Sequence, residues 1–195
     1  MSLSQLVAEY EKGIQPLRKA VAGMTPAQFK ARPIAGQWST QEVVCHLCDF
    51  EPVYADRMKR VIAEDNPSLL GADQNRFATR LAYQDRDVAE ELDLMEQVRR
   101  QMARILRTLP EDALKRAGLH NERGPQTLEQ LLTTIIGHVP HTRSSFWKSG
   151  RRWGWPRREI AVGHISQVTR GHPGAYAPRL ASSALLERAP RPFYH

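Results

Sequence analysis

The sequence predicts an all-α four-helix bundle with a long crossover between helices two and three and an irregular C-terminal tail. Three observations carry that prediction. Four segments repeat apolar residues at three- and four-residue steps, two of them open on the spacing of a capping box, and no stretch shows a convincing strand signal.

Taken in order, Leu3, Leu6, Val7, Tyr10, Ile14, Leu17 and Val21 form the stripe of an amphipathic helix over about residues 3–23. Thr25-Pro26 then reads as an N-cap followed by proline at the first helical position, and the short turn carrying Phe29 stops before Pro33. Helix two opens at Ser39, whose hydroxyl caps the backbone while Glu42 reaches back. Its face is Val43, His46, Leu47, Phe50, Tyr54, Met58, Val61 and Ile62, and the stripe continues past Pro52, which is expected to bend the helix rather than end it. Between Asn66 and Gln84 the periodicity fades amid Pro67 and Gly71, marking the crossover. Helix three is expected from Arg86 to Thr108 on Val88, Leu92, Met95, Val98, Met102, Ile105 and Leu106. Thr127 with Gln130 repeats the capping-box spacing before helix four, whose face is Leu128, Leu131, Leu132, Ile135, His138 and Val139.

After about Ser144 the period is lost among arginine, proline, glycine and serine, so residues 1–148 read as the bundle and 149–195 as a basic, irregular tail. Charge follows the same division. The formal net charge of the 195-residue chain is +7, yet ten Lys/Arg and two Glu lie beyond residue 142, which leaves the bundle close to neutral. A near-neutral fold with a basic tail differs from a DNA-binding fold, whose positive face belongs to the folded surface, so nucleic acid is expected at most weakly through the tail and its tryptophans Trp147, Trp153 and Trp155. No basic-then-apolar leader and no apolar run near about eighteen residues is present, which makes the cytoplasm the expected location and a membrane an unexpected partner. Cys45 and Cys48 have CxxC spacing, but they fall inside a helical stripe with no second pair, the pattern of buried filler.

Three of the seven histidines, His46, His138 and His141, sit where helical stripes would turn them inward. His138 and His141 are three apart and therefore neighbours on one face, and His46 would come from the facing helix. Neutral imidazole suits a divalent transition metal, zinc or nickel above all, and three histidines leave a position open for water or substrate. Asp49, Glu51 and Glu42 are candidates to orient His46, and Trp38 and Tyr54 to wall a pocket. A histidine on an apolar face is also ordinary core or rim filling, and spacing alone leaves that alternative open.

The stretch IAGQWSTQEVVCHLCDFEPVYADRMKRVIAEDNP, Ile34 to Pro67, resembles the DinB/YfiT-like superfamily, in which a G-x-W-S-x-x-E-x-x-x-H helix start delivers the first metal histidine. LTTIIGHVPHTR resembles the last-helix histidine cluster that supplies the others, so the likeness spans about residues 1–142. It implies a metal site at His46, His138 and His141, a four-helix bundle, often a homodimer, and chemistry of thiol S-transferase or hydrolase type on a small-molecule substrate, with a low-molecular-weight thiol as co-reactant in some members. The pattern departs at Thr142, where the resemblance carries a further histidine, and helix four is expected to end early there. A non-catalytic, stress-associated binding protein with a degenerate metal site is the alternative this departure motivates. The abrupt change of composition also suggests a tail translated from a shifted frame.

Overall fold

The computed structural model describes the backbone of residues 1–150 and the side chains of residues 1–140. The expected tail, its proposed frame shift and the side chains of His141 and Thr142 lie outside them.

Four helical elements form the bundle. The first is divided, α1 (Leu3–Lys12) and α2 (Gln15–Val21), where one helix was expected. Pro16 accounts for the break, because its ring nitrogen cannot bond the carbonyl four residues back. Gly13 fits the same corner: a Cβ there would lie 2.1 Å from Nη1 of Arg99, so the arginine occupies the space that any other residue would need. A short α3 (Pro26–Lys30) then leads to α4 (Thr40–Ala63), which continues through Pro52 as the unbroken apolar stripe predicts.

The crossover holds β1 (Ser68–Leu69) and α5 (Gln74–Arg80) and leads into α6 (Val88–Leu106). A 3-10 turn (Glu111–Lys115) and a hairpin, β2 (Ala117–His120) and β3 (Gly124–Thr127), lead to α7 (Leu128–Gly150). β1 pairs parallel with β2, and β2 pairs antiparallel with β3, giving a three-stranded sheet that periodicity did not reveal. Strands of two and four residues are too short to establish a period of two. α7 does not end at Thr142 but runs through Pro140 to Gly150, which corrects the expected early stop.

α4 is the central element and packs against both α6 and α7, while α1 also packs against those two helices. The apolar core falls into two clusters. One gathers Leu6, Tyr10, Met58, Met102, Leu106, Leu131 and Ile135, and the other Ile14, Leu17, Val44, Leu47, Cys48, Met95 and Val139. At the seam lies an ion pair that the apolar pattern gave no sign of. Arg99 donates from Nε and Nη2 to Oε2 of Glu51 at 2.9 and 2.8 Å, Tyr10 donates to Oε1 at 2.5 Å, and Arg99 Nη1 donates to the Tyr10 carbonyl at 2.9 Å. Every polar atom of this triad that the core encloses is therefore matched, which is the condition under which a buried pair is tolerated.

Cys45 and Cys48 are buried free thiols, as the filler reading expects. Burial pushes the Cys45 thiol up to about 12, so it is not a thiolate at neutral pH. Among the described residues no helix is long and apolar enough to cross a membrane.

Candidate metal centre

The start of α4 is fixed by local chemistry, and that start places His46. Gly36 turns the chain with φ +76°, a left-handed conformation that favours glycine. Ser39 accepts from the Glu42 backbone N–H at 3.2 Å while Glu42 accepts from the Ser39 N–H at 2.7 Å, closing the predicted capping box. Trp38, one residue before the cap, packs against the cluster that contains Val43, four residues into the helix. Two turns on from the cap, His46 faces α7 and is 4% exposed.

α7 is placed by the same device. Thr127 N–H donates to Gln130 at 2.8 Å and the Gln130 N–H returns to the threonine hydroxyl at 3.2 Å. Leu128, Leu131, Leu132, Ile135 and Val139 then bury the helix face, and His138 stands half-buried at its margin.

The two imidazoles meet. Nε2 of His46 lies 3.1 Å from Nε2 of His138, with ring centroids 4.9 Å apart and nearly perpendicular planes. Trp38 and Phe50 press on the His46 ring at 5.1 and 4.6 Å between centroids, and Phe77 extends the aromatic wall from the crossover, 5.8 Å from Phe50. This apolar enclosure pulls the His46 pKa down to about 4: burial is the main cause, the neighbouring His138 adds to it, and Asp49 partly opposes it. His46 is thus neutral at neutral pH and has a lone pair to offer.

Two nitrogens bound to one tetrahedral ion at about 2.0–2.1 Å would stand about 3.3 Å apart, close to the separation here, so the pair fits a divalent ion of the zinc or nickel kind. Among the described residues the enclosed Nδ1 of His46 has no hydrogen-bond partner. Metal-ligating histidines usually donate from that nitrogen, and no orienting carboxylate meets it among the described residues. None of the three acids suggested by sequence supplies it, because each is engaged elsewhere. Asp49 holds both Nη atoms of Arg86 at 2.9 Å, Glu42 holds the cap and Arg32, and Glu51 belongs to the Arg99 triad. Among the described residues no group of three His, Cys, Asp or Glu is placed to hold an ion, so the observed centre is a pair.

A model of the DinB superfamily matches residues 9–142, more than two thirds of the sequence. The chain belongs to the DinB superfamily. This DinB-superfamily chain is 27% identical over 140 residues to the Bacillus subtilis protein YfiT, named a candidate metal-dependent hydrolase; the match covers 71% of the chain and 79% of YfiT. It is 22% identical over 153 residues to a protein of Oceanobacillus iheyensis with the same description, covering 78% and 88% of the two chains. The solved structure of YfiT, described as having an unusual four-helix bundle topology, superposes with a TM-score of 0.73 at 25% identity, covering 79% of the present chain and 89% of the other.

Trp38 contributes to the wall around His46 as suggested, whereas Tyr54 does not: its ring lies under the guanidinium of Arg57, 4.9 Å from the centroid. Phe77 was missed, because it lies in the crossover where no periodicity marks an inward residue.

Proposed function

We propose that this DinB-superfamily chain is a cytoplasmic metal-dependent hydrolase of a small molecule, with the ion held by His46, His138 and His141. The approach of two imidazoles from facing helices carries the reading, and the names of the relatives support the reaction class. When bound, a divalent ion acts as a Lewis acid and lowers the pKa of water or of a thiol.

The protein's own residues do the rest. His46 and His138 bring their Nε2 atoms together, and burial keeps the His46 ring neutral. His141, three residues along α7, is the neighbour of His138 on the same helical face and the third ligand in this reading. Trp38, Phe50 and Phe77 exclude bulk water from one side of the pair and leave an apolar surface for substrate. Thiol S-transfer at the same ion is the finer variant, distinguished by whether turnover requires an added low-molecular-weight thiol. Assembly as a homodimer belongs to the reading and is checked by sedimentation.

A second reading, a non-catalytic binding protein with a degenerate site, is favoured by the unmatched Nδ1 of His46 and by Thr142. Zinc and nickel titrations followed by metal analysis separate the two. Wild type is expected to bind one ion per three-histidine site and His46→Ala to bind little. Thr142→His is expected to bind more tightly, because imidazole replaces a hydroxyl one turn from His138. Equal behaviour of all three proteins would place any ion elsewhere, and no stoichiometric ion in wild type would favour the binding-only reading.

A further inference from the structure

The rings that gather around buried His46 are themselves enclosed only in part. Trp38, Phe50, Phe77 and His138 are half-buried, whereas His46 is 4% exposed. They come from four places in the chain: the segment before α4, α4 itself, α5 and α7. Trp38 and Phe50 lie 5.1 and 4.6 Å from His46 between centroids, Phe77 lies 5.8 Å from Phe50, and Phe50 lies 5.9 Å from His138. Their planes are inclined by 59, 49, 51 and 59°, so the rings meet at a tilt instead of covering one another face to face. The core does not account for Phe77. Trp38 and Phe50 each pack against one of the two apolar clusters, Phe77 belongs to neither, and its helix α5 buries no residue.

The charges of α4 closest to His46 in sequence are already cancelled. Asp49 accepts from both Nη atoms of Arg86 at 2.9 Å, and Glu42 accepts from Nε of Arg32 at 2.9 Å. A charged ligand group laid against the rings would therefore give up water for an apolar wall. A neutral ring would add tilted contacts of the kind already present, which favour an aromatic group over an aliphatic one of equal size.

We propose that this half-open wall is the substrate-recognition surface of the centre, that it takes an uncharged aromatic group, and that Phe77 sets the preference for a ring. The proposal rests on the hydrolase reading in one respect, that the histidine pair is the reacting centre. Phe50 contacts both imidazoles and Phe77. A ligand ring seated against Phe50 and Phe77 thus lies next to the pair whose Nε2 atoms are 3.1 Å apart.

Ligand-observed NMR titration of the full-length, chelator-treated protein tests it, with benzamide, cyclohexanecarboxamide and benzoate as probes. Wild type is expected to bind benzamide saturably, and about threefold or more tightly than either of the others. Phe77→Leu keeps an apolar side chain on a helix that buries no residue, so the fold should survive, as thermal melting would verify. It should lose the preference for benzamide over cyclohexanecarboxamide, and Phe77→Ala should weaken both amides. The inference is overturned if benzamide binds wild type no better than the other two probes, or binds both Phe77 variants as it binds wild type. No metal enters the measurement. An absent ion in the titrations above would remove the hydrolase reading while the benzamide preference stands, and a lost preference beside a stoichiometric ion would remove this inference alone.

Discussion

Two polar groups sit five residues apart on α4 and are treated in opposite ways. Glu51 is enclosed by Arg99 and Tyr10 with every oxygen matched, whereas His46, nearly as buried, has one bond from Nε2 to another histidine and an unmatched Nδ1. The first arrangement is closed and holds three helices together at the seam of the core. The second is open, because Nδ1 of buried His46 is left unmatched among the described residues. A structural group tends towards the first state and a ligand-binding group towards the second.

Breaking the closed site should produce the largest effect. Glu51→Leu leaves Arg99 as an uncompensated buried charge, and a loss of about 3–5 kcal/mol is expected in chemical denaturation. The double variant Glu51→Leu, Arg99→Met removes both charges and should recover most of that loss; a double variant as unstable as the single one would mean that the triad contributes more than mutual compensation.

The cap that positions His46 should matter less. Ser39→Ala removes the hydroxyl that accepts from Glu42 and is expected to cost about 1 kcal/mol by the same measurement. Acid should act on this cap too. Burial pushes the Glu42 carboxyl up, but the Arg32 guanidinium, the Ser39 backbone N–H and further donors outweigh it, and the net shift is downward. A carboxylate held below its ordinary range contributes stability that is present at neutral pH and is lost as the pH falls through the folded-state value. Arg32→Gln should therefore lose less stability than wild type between neutral pH and the acid side of the carboxylate range.

The open site should respond least. In chelator-treated protein His46→Leu removes a buried nitrogen that nothing satisfies, so stability is expected to change by no more than about 1 kcal/mol, in either direction. A loss comparable with that of Glu51→Leu would show that the histidine pair is itself a structural fastening and would remove the contrast.

Much of this architecture was legible because it repeats. The stripes on α4, α6 and α7 are regular, and Ser39–Glu42 and Thr127–Gln130 are local signals whose partners lie three residues apart. His46 and His138 could be picked out because each follows its helix's inward period. What escaped is long-range or brief. Nothing near Glu51 in sequence announces Arg99, so by sequence Glu51 reads as a companion of His46. Ser68–Leu69 is too short to carry a period and becomes a strand by pairing with residues about fifty positions away. Phe77 and Arg57 acquire their surroundings from that same non-local region.

The parallel contact between β1 and β2 has a kinetic consequence. Leu119 N–H reaches the Pro67 carbonyl at 2.8 Å, and Asn121 N–H reaches the Leu69 carbonyl at 3.1 Å, closing a loop that contains α5 and α6. Closing a loop of that length is entropically costly before helix packing brings its ends together, so the clasp belongs to the late side of the folding barrier. Substitutions along Pro67–Leu69 and Leu119–Asn121 are therefore expected to speed unfolding more than they slow folding, which stopped-flow folding and unfolding rates would check. A clasp made of few residues thereby ties the crossover that follows α4 to the hairpin that leads into α7, the two helices that bring His46 and His138 together.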